Sequence, residues 1–279
     1  MDTKKVWLVT GASKGLGLTL VKRLLKEGYK VAATSRDVAA LNKEVAEQTQ
    51  GFLPLGVDLV NEQSVAKAIA AIIETFGRID VVVNNAGYGQ LGTLEELSDE
   101  EARKNFDVNV FGSLNVIRKV MPHLRAKKSG AIFNISSIGG FFGNFPGWGI
   151  YCATKFAVAG FTESLAAEVK AFGITATVVY PGYFRTDFLS GNSLGLPQNP
   201  IEDYAEARAS ETLHTNEIRG NQPGDPEKAA KVLIEIADST NPPIHLFLGQ
   251  DAYDTAKVKL ETVEKDMAAS EVLATATGF

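Results

Sequence analysis

This 279-residue sequence has only one cysteine and three histidines. The single thiol, Cys152, excludes an intramolecular disulfide framework, and His123, His214 and His245 have no ligand-spaced neighbours, so no metal site is expected. A reducing, cytoplasmic setting follows as the expectation. Cys152 itself reads as a small buried thiol at a helix start. No apolar run approaches the roughly eighteen residues that a membrane-spanning helix needs. The polar start, residues 1–5, lacks the apolar region and small-residue cleavage site of a signal peptide. An excess of one charge is missing too: 28 basic and 33 acidic residues are interspersed, a formal charge of -5, which offers no footprint for nucleic acid or an anionic membrane. Small-molecule partners remain.

What is present is a regular alternation of short apolar runs and helical periods. Hydrophobic residues make up 45% of the chain and charged residues 22%, enough for a sizeable core. Apolar runs at 6–9, 31–33, 52–57, 81–83, 131–135, 175–179 and 244–248 read as seven strands. Helical spacing runs over 16–25 and 62–76, from Ser98 and Asp99 onward, and over 151–172. Strands that are apolar throughout belong to a parallel sheet covered on both faces. The predicted fold is therefore α/β, a Rossmann-type doubly wound seven-stranded parallel sheet with helices on both faces. No Pro-, Gly- or Ser-rich linker interrupts the pattern before about residue 185, so a single domain is expected over 1–250. Within it, the stretch 182–224 carries three prolines and exceeds an ordinary connection, and it reads as a substrate lid over about 183–225. Beyond Gly249, Ala256, Leu260, Val263 and Met267 recur at helical spacing, giving an amphipathic C-terminal extension over 251–279 whose apolar stripe is expected to dock.

Ligands in such sheets lie beyond the carboxyl ends of the strands. After the first strand comes Thr10-Gly11-Ala12-Ser13-Lys14-Gly15-Leu16-Gly17, whose glycines permit a sharp turn and bring backbone N–H groups to a pyrophosphate at a helix N-terminus. The second strand ends Thr34-Ser35-Arg36. An acidic residue there accepts from the ribose 2'-hydroxyl of NAD, whereas Arg36 offers a planar fork for the 2'-phosphate of NADP, with Ser35 as hydroxyl donor and Lys14 as a second positive charge. The plainer alternative is that both cations are solvated surface charges, with Asp37 partly neutralising Arg36. Further on, Tyr151 and Lys155 lie four apart on one predicted helix and project from one face. An ammonium beside a phenol favours phenolate, so Lys155 is expected to bring Tyr151 toward a working acid–base range. Asn134-Ile135-Ser136-Ser137 ends the fifth predicted strand, where a hydroxyl can meet a substrate oxygen. Ser137 is preferred for that role, with Ser136 as a buried strand-end hydroxyl.

The glycine pattern, with Asn84-Asn85-Ala86-Gly87 after the fourth strand, Asn109, Ser137, Tyr151-x-x-x-Lys155 and Pro181-Gly182 in that order, resembles the short-chain dehydrogenase/reductase family over the chain to about residue 250. The resemblance implies an oxidoreductase that moves hydride between NADP(H) and a carbonyl or alcohol, with Tyr151 as general acid/base. It implies that Lys155 also binds the ribose hydroxyls and that Asn109 bends its helix and holds a water in a proton relay. It assigns to the cofactor Gly11, Ser13, Lys14, Gly15, Leu16, Ser35, Arg36, Asp58, Leu59, Asn85, Ala86, Gly87, Tyr151, Lys155, Pro181, Gly182 and Thr186. Among these, Asp58 touches the adenine, Pro181-Gly182 backs the nicotinamide and Thr186 meets its carboxamide. Asn84 and Gly87 line the adenosine side and steady the sheet. By its position Asp58 could instead cap the next helix, although that helix reads as starting nearer Asn61. One departure is the fourteen steps from Ser137 to Tyr151, one more than the family has, as though Asn144 were inserted.

Phe141, Phe142, Phe145 and Trp148 crowd that loop and suggest an apolar substrate pocket walled also by Tyr183 and Phe184; a core or a subunit contact is the alternative for the loop aromatics. A reductase and a dehydrogenase working in the oxidative direction share this chemistry, and a non-catalytic NADP(H)-sensing regulator is the reading from another class. A sensor needs none of the proton chemistry of Asn109, Ser137, Tyr151 and Lys155. The resemblance further implies a homodimer or homotetramer assembled through helices near 100–125 and 151–172.

Overall fold

The computed structural model describes residues 4–45 and 51–279, so the first three residues of the polar N-terminal segment lie outside it. Seven parallel strands form one sheet in the order β3-β2-β1-β4-β6-β7-β9. They are β1 (Val6–Val9), β2 (Lys30–Ser35), β3 (Phe52–Gly56), β4 (Val81–Asn84), β6 (Gly130–Ile135), β7 (Ile174–Pro181) and β9 (His245–Leu248). The order reverses between β1 and β4, which opens the crevice that a doubly wound sheet offers to ligands. Two short strands, β5 (Gly89–Gln90) and β8 (Leu194–Gly195), pair in parallel apart from the sheet. Two residues are too few for a periodicity, and these strands were not foreseen from the sequence.

The helices are α1 (Gly15–Lys26), α2 (Val38–Val45), α3 (Glu62–Phe76), α4 (Asp99–Phe106), α5 (Gly112–Lys127), α6 (Gly149–Val169), α7 (Ala205–Thr212), α8 (Pro226–Ala237) and α9 (Gln250–Thr275). Alternation along each strand sorts the core into two layers. Trp7, Val9, Val31, Ala33, Val81 and Val83 pack against α1 and α8, while Val6, Leu8, Ala32 and Val82 pack against α3 and α5. Each such side chain contributes about 1.5–3 kcal/mol on full burial, so the sheet is held from both faces. Local signals set the helix starts. Asn61 accepts from the N–H groups of Gln63 and Ser64 at the start of α3, and Ser98 with Glu101 forms a reciprocal capping box on α4.

Between α4 and α5 the chain makes a π-helical turn, Asp107–Phe111. The widened turn carries Asn109 inward, where it is buried, in line with the helix bend that the resemblance implied. Residues 183–225 leave the sheet after β7 and return to it: Phe184 bridges to Gly224, so the excursion closes on itself. Its far part is fastened by Glu96, whose carboxylate accepts from Thr93 N, Ile201 N and the Arg208 guanidinium.

The C-terminal stripe packs on this protomer only at its start. In α9 only Ala252 and Ala256 are buried, against Ile138, Phe141, Phe145 and Phe247, whereas Leu260, Val263 and Met267 are exposed. The helix runs off the body after its second turn, so the rest of its apolar face meets nothing in this chain. No helix among the described residues is long and apolar enough to cross a membrane.

Candidate active site

A cleft of about 560 Å³ opens at the carboxyl ends of β1, β2, β4, β6 and β7. Its wall contains every residue that the resemblance assigned to the cofactor, together with Ser137. At one end lies the turn between β1 and α1. Gly11 and Gly15 have φ of 62° and 58°, where a side chain would be strained, and a Cβ on Gly11 would stand 2.7 Å from the backbone of Ala86. Asn85 fixes this approach: its Nδ2 donates to the carbonyls of Thr10 and Gly11 at 2.9 and 3.1 Å, while the backbone N–H groups of Asn85 and Ala86 donate to the Thr10 hydroxyl. No side chain caps the first turn of α1, which leaves its N–H groups free toward the cleft. An uncapped helix N-terminus behind a glycine turn fits the pyrophosphate of a dinucleotide.

The end of β2 supplies the cations. Arg36 is exposed and has no carboxylate partner among the described residues, because Asp37 turns away to accept from the backbone of Ala40 at 2.9 Å. Lys14 stands close enough to Arg36 to feel it. Burial first, and then repulsion from Arg36, hold the Lys14 ammonium below its usual range, with Asp187 partly offsetting both. Two converging cations describe an anion site. The Asp58 carboxylate accepts from the N–H of Val60 at 3.1 Å and lines the cleft; the cap of α3 is Asn61, as its spacing had suggested. Asn84 requires correction. It is buried inside the sheet, donating to Asn134 at 2.7 Å, and Asn134 donates in turn to Thr162, so Asn84 ties β4 to β6 and α6 and does not face the adenosine side. The strand alternation that points Asn85 outward turns Asn84 in.

At the centre, Tyr151 and Lys155 lie one turn apart on α6, and both are buried. The Ser137 hydroxyl lines the cleft with the Tyr151 phenol, whose pKa it lowers, and it accepts from the N–H of Gly139 at 3.1 Å. Ser136 instead donates to the backbone carbonyl of Lys155 at 2.8 Å, the strand-end role. The lengthened loop thus still delivers Ser137 to the tyrosine. Burial pushes the Tyr151 phenol well above its ordinary range, and the Ser137 hydroxyl offsets this only in part. Lys155 is not among the groups that shift the phenol here; its ammonium donates to the Ile135 carbonyl at 2.9 Å and lies over the phenol ring, 5.7 Å from its centroid. Burial brings Lys155 itself down to about 8. Asn109 sits behind this group and off the cleft wall. Its side chain donates to Tyr88 O and Thr154 Oγ1 at 3.0 and 3.1 Å, and a Cβ on Gly87 would meet its oxygen at 3.0 Å and Lys155 Nζ at 3.4 Å.

At the far end the walls are aromatic. Trp148 lies 5.3 Å from Tyr151, and Phe145, Tyr183 and Phe184 share the wall. Phe141 and Phe142 do not. Phe141 packs edge-on against Tyr180 and Phe247, and Phe142 packs edge-on against Phe145. Thr186 approaches Gly15, 3.6 Å from where its Cβ would be, so the excursion reaches over the glycine turn. His214 belongs to this wall as well, as do Tyr88 and Gln222. None of the three has a sequence signal, since each arrives through contacts distant in the chain. Cys152 is buried with its thiol pushed up to about 12, which agrees with a packing role. No cluster of metal-ligating side chains occurs among the described residues.

The chain belongs to the short-chain dehydrogenase family, whose model matches residues 5–195. It is an oxidoreductase of that family. It is 36% identical to oxidoreductase BOA17 of Botryotinia fuckeliana over 90% of this chain and 91% of the relative. It is also 36% identical to a 3-ketodihydrosphingosine reductase of Bacteroides thetaiotaomicron over 88% of each. The solved structure of a short-chain dehydrogenase from Streptomyces avermitilis matches with a TM-score of 0.91 at 33% identity, covering 100% of both chains. Related structures hold different nicotinamide cofactors. A 3-ketoacyl-(acyl-carrier-protein) reductase from Brucella melitensis contains NADH (TM-score 0.72, 27% identity, 87% and 96% covered). ElxO contains NADP (TM-score 0.72, 29% identity, 88% and 97% covered).

Proposed function

We propose that this oxidoreductase interconverts a ketone or aldehyde and the corresponding alcohol, using NADP(H). The observation that carries the reading is the grouping of Ser137, Tyr151 and, one turn along, Lys155 at the middle of a cleft that has a glycine turn at one end and aromatic walls at the other. Bound at the cradle, the nicotinamide supplies or receives the hydride. Tyr151 gives its proton to the substrate oxygen during reduction and takes it back during oxidation, while the Ser137 hydroxyl steadies the charge developing on that oxygen. Lys155 holds the ribose and supplies positive charge near the phenol, and Asn109 fixes the backbone of Tyr88 and the Thr154 hydroxyl behind it. Gly11, Ser13, Gly15 and Leu16 bind the pyrophosphate, Asp58 and Leu59 the adenine side with Asn85, Ala86 and Gly87, and Pro181, Gly182 and Thr186 the nicotinamide. Lys14, Ser35 and Arg36 take the 2'-phosphate. The absence of an acid at the end of β2 and the lack of an ion pair at Arg36 support NADP over NAD.

Apolar walls at the substrate end favour an apolar carbonyl compound, with residues 183–225 as its lid. The exposed rings of Phe111 and Phe156, on the two helical segments that the family resemblance implicated, support a homodimer or homotetramer. The test is the loss of NADPH absorbance with a panel of aldehydes, ketones and diketones, run beside NADH and a Tyr151→Phe protein. Turnover with NADPH that vanishes in the variant is the expected result. Tight NADPH binding with no turnover in either direction would overturn the reading in favour of a dinucleotide sensor.

A further inference from the structure

Beside Tyr151 the cleft holds a second polar couple that the chemistry above does not use. Tyr183 follows β7, and His214 lies on the π-helical turn Leu213–Ile218 of the lid; both line the cleft. The Tyr183 hydroxyl is 2.9 Å from His214 Nε2, and His214 Nδ1 is 2.7 Å from the carbonyl oxygen of Ser210. These two distances fix where the protons are. A carbonyl oxygen only accepts, so Nδ1 carries the ring proton. His214 is buried, and no carboxylate is paired with it among the described residues, so desolvation holds it below its ordinary range and the ring stays neutral. Nε2 is then a bare acceptor, and the only hydrogen-bonding proton of the Tyr183 side chain is committed to it. The phenolic oxygen keeps a free lone pair and presents the cleft with an acceptor.

The couple is held on several sides. The His214 ring lies 4.8 Å from that of Trp148, and the Tyr183 backbone N–H donates to Asp251 at 2.6 Å. It also stands near the reacting group, since the Trp148 ring that packs on His214 lies 5.3 Å from the Tyr151 ring. Resting on the proposed carbonyl–alcohol activity, we infer that the substrate carries an O–H or N–H donor close to its reacting carbonyl and that Tyr183 accepts from it. The class is hydroxyketones and aminoketones. Plain ketones leave the acceptor unpaired, and ethers set lone pair against lone pair.

The experiment compares three matched ketones in the NADPH assay, alike except for hydroxyl, methoxy or hydrogen on the carbon next to the carbonyl or on the one beyond it. In the wild-type protein the hydroxyketone should exceed the methoxyketone in kcat/KM by about tenfold or more, the size of one buried hydrogen bond against an unmet one. Tyr183→Phe should shrink that ratio to within threefold. His214→Leu, which releases the phenolic proton, should raise the methoxyketone relative to the hydroxyketone. The NADPH dissociation constant, read by nucleotide fluorescence, serves as the folding control for both variants. Equal turnover of the three ketones by the wild-type protein overturns the inference and leaves the reductase reading standing. No turnover of any ketone by an NADPH-binding protein overturns the reductase reading, and the inference falls with it.

Discussion

The cofactor end of the cleft is made of turns that directly follow strands, whereas its substrate end is made of side chains that residues 183–225 bring back to α6. The first is backbone architecture. Gly11, Gly15 and the start of α1 hold backbone whose position the sheet dictates, and Thr10 and Asn85 lock one strand end to the next. The second is a set of tertiary meetings: Glu96 with Arg208, Tyr183 with His214, Thr186 beside Gly15. The pyrophosphate is common to NAD and NADP, so a rigid backbone cradle serves either. Substrates differ, and an excursion that closes on itself through the Phe184–Gly224 bridge can vary without disturbing the sheet.

If the two ends are separable, substitutions should sort between them. The largest effect is expected at their seam. Ser137→Ala should lower kcat by about 10²-fold or more, the cost of one lost donor at a developing oxyanion, with the NADPH dissociation constant unchanged. Weakened NADPH binding in that variant would move Ser137 to the cofactor end. Next, Arg36→Leu should raise the NADPH dissociation constant by roughly tenfold to hundredfold while NADH changes little, as loss of a charge-assisted contact requires. An unchanged preference between the two nucleotides refutes the role of Arg36. Glu96→Gln weakens the fastening of the lid alone, so limited proteolysis within 196–220 should quicken by about tenfold with nucleotide affinity intact.

A pH effect at Lys155 is smaller and carries a definite sign. Its ammonium is buried and brought to about 8, so between that pH and its ordinary range the unfolded chain binds a proton that the native state does not. Native stability therefore rises with pH in that window, by up to about 1.4 kcal/mol per pH unit, and is flat with respect to this group below it. Urea unfolding at pH 7.5 and 9.5 should show the wild-type protein gaining on Lys155→Met at the higher pH. A gap that stays constant would mean that the lysine is not desolvated. Smallest of all, Leu260→Ser on the exposed face of α9 should change the melting of the protomer by less than about 0.5 kcal/mol and leave both ends of the cleft untouched.

What could be read from the sequence follows the same division. The seven strands, the start of α3 at Asn61 and the start of α4 at Ser98 were legible because periodicity and caps act within one turn or one strand. The glycine turn, Arg36, the pair Tyr151–Lys155 and Ser137 over Ser136 were legible because each follows a strand or shares a helix face. His214 was set aside as one of three scattered histidines, and only the return of the lid places it beside Tyr183 and Trp148. Phe141 and Phe145 are four apart in one loop, yet the 3-10 turn at Ile138–Gly140 sends the first toward Tyr180 and the second toward the cleft. Lys155 was expected to act on Tyr151 by proximity alone; the Ile135 carbonyl, which competes for its protons, comes from another strand. The stripe on α9 had the right period, but a period cannot say where the body ends.

That helix gives the molecule a handle. No residue after Ala256 is buried, so residues 257–275 extend as a rod of about 28 Å at 1.5 Å per residue. A label, a surface attachment or a fused protein placed at its tip is held clear of the cleft and of both helical layers. Load applied to the rod enters the body at Ala252 and Ala256, and on the cleft side the first group to feel it is Asp251. Its carboxylate grips the Tyr183 backbone and fills the space that a Cβ on Gly182 would need. Pulling on the far end is thus a way to strain the substrate wall while leaving the nucleotide cradle at rest.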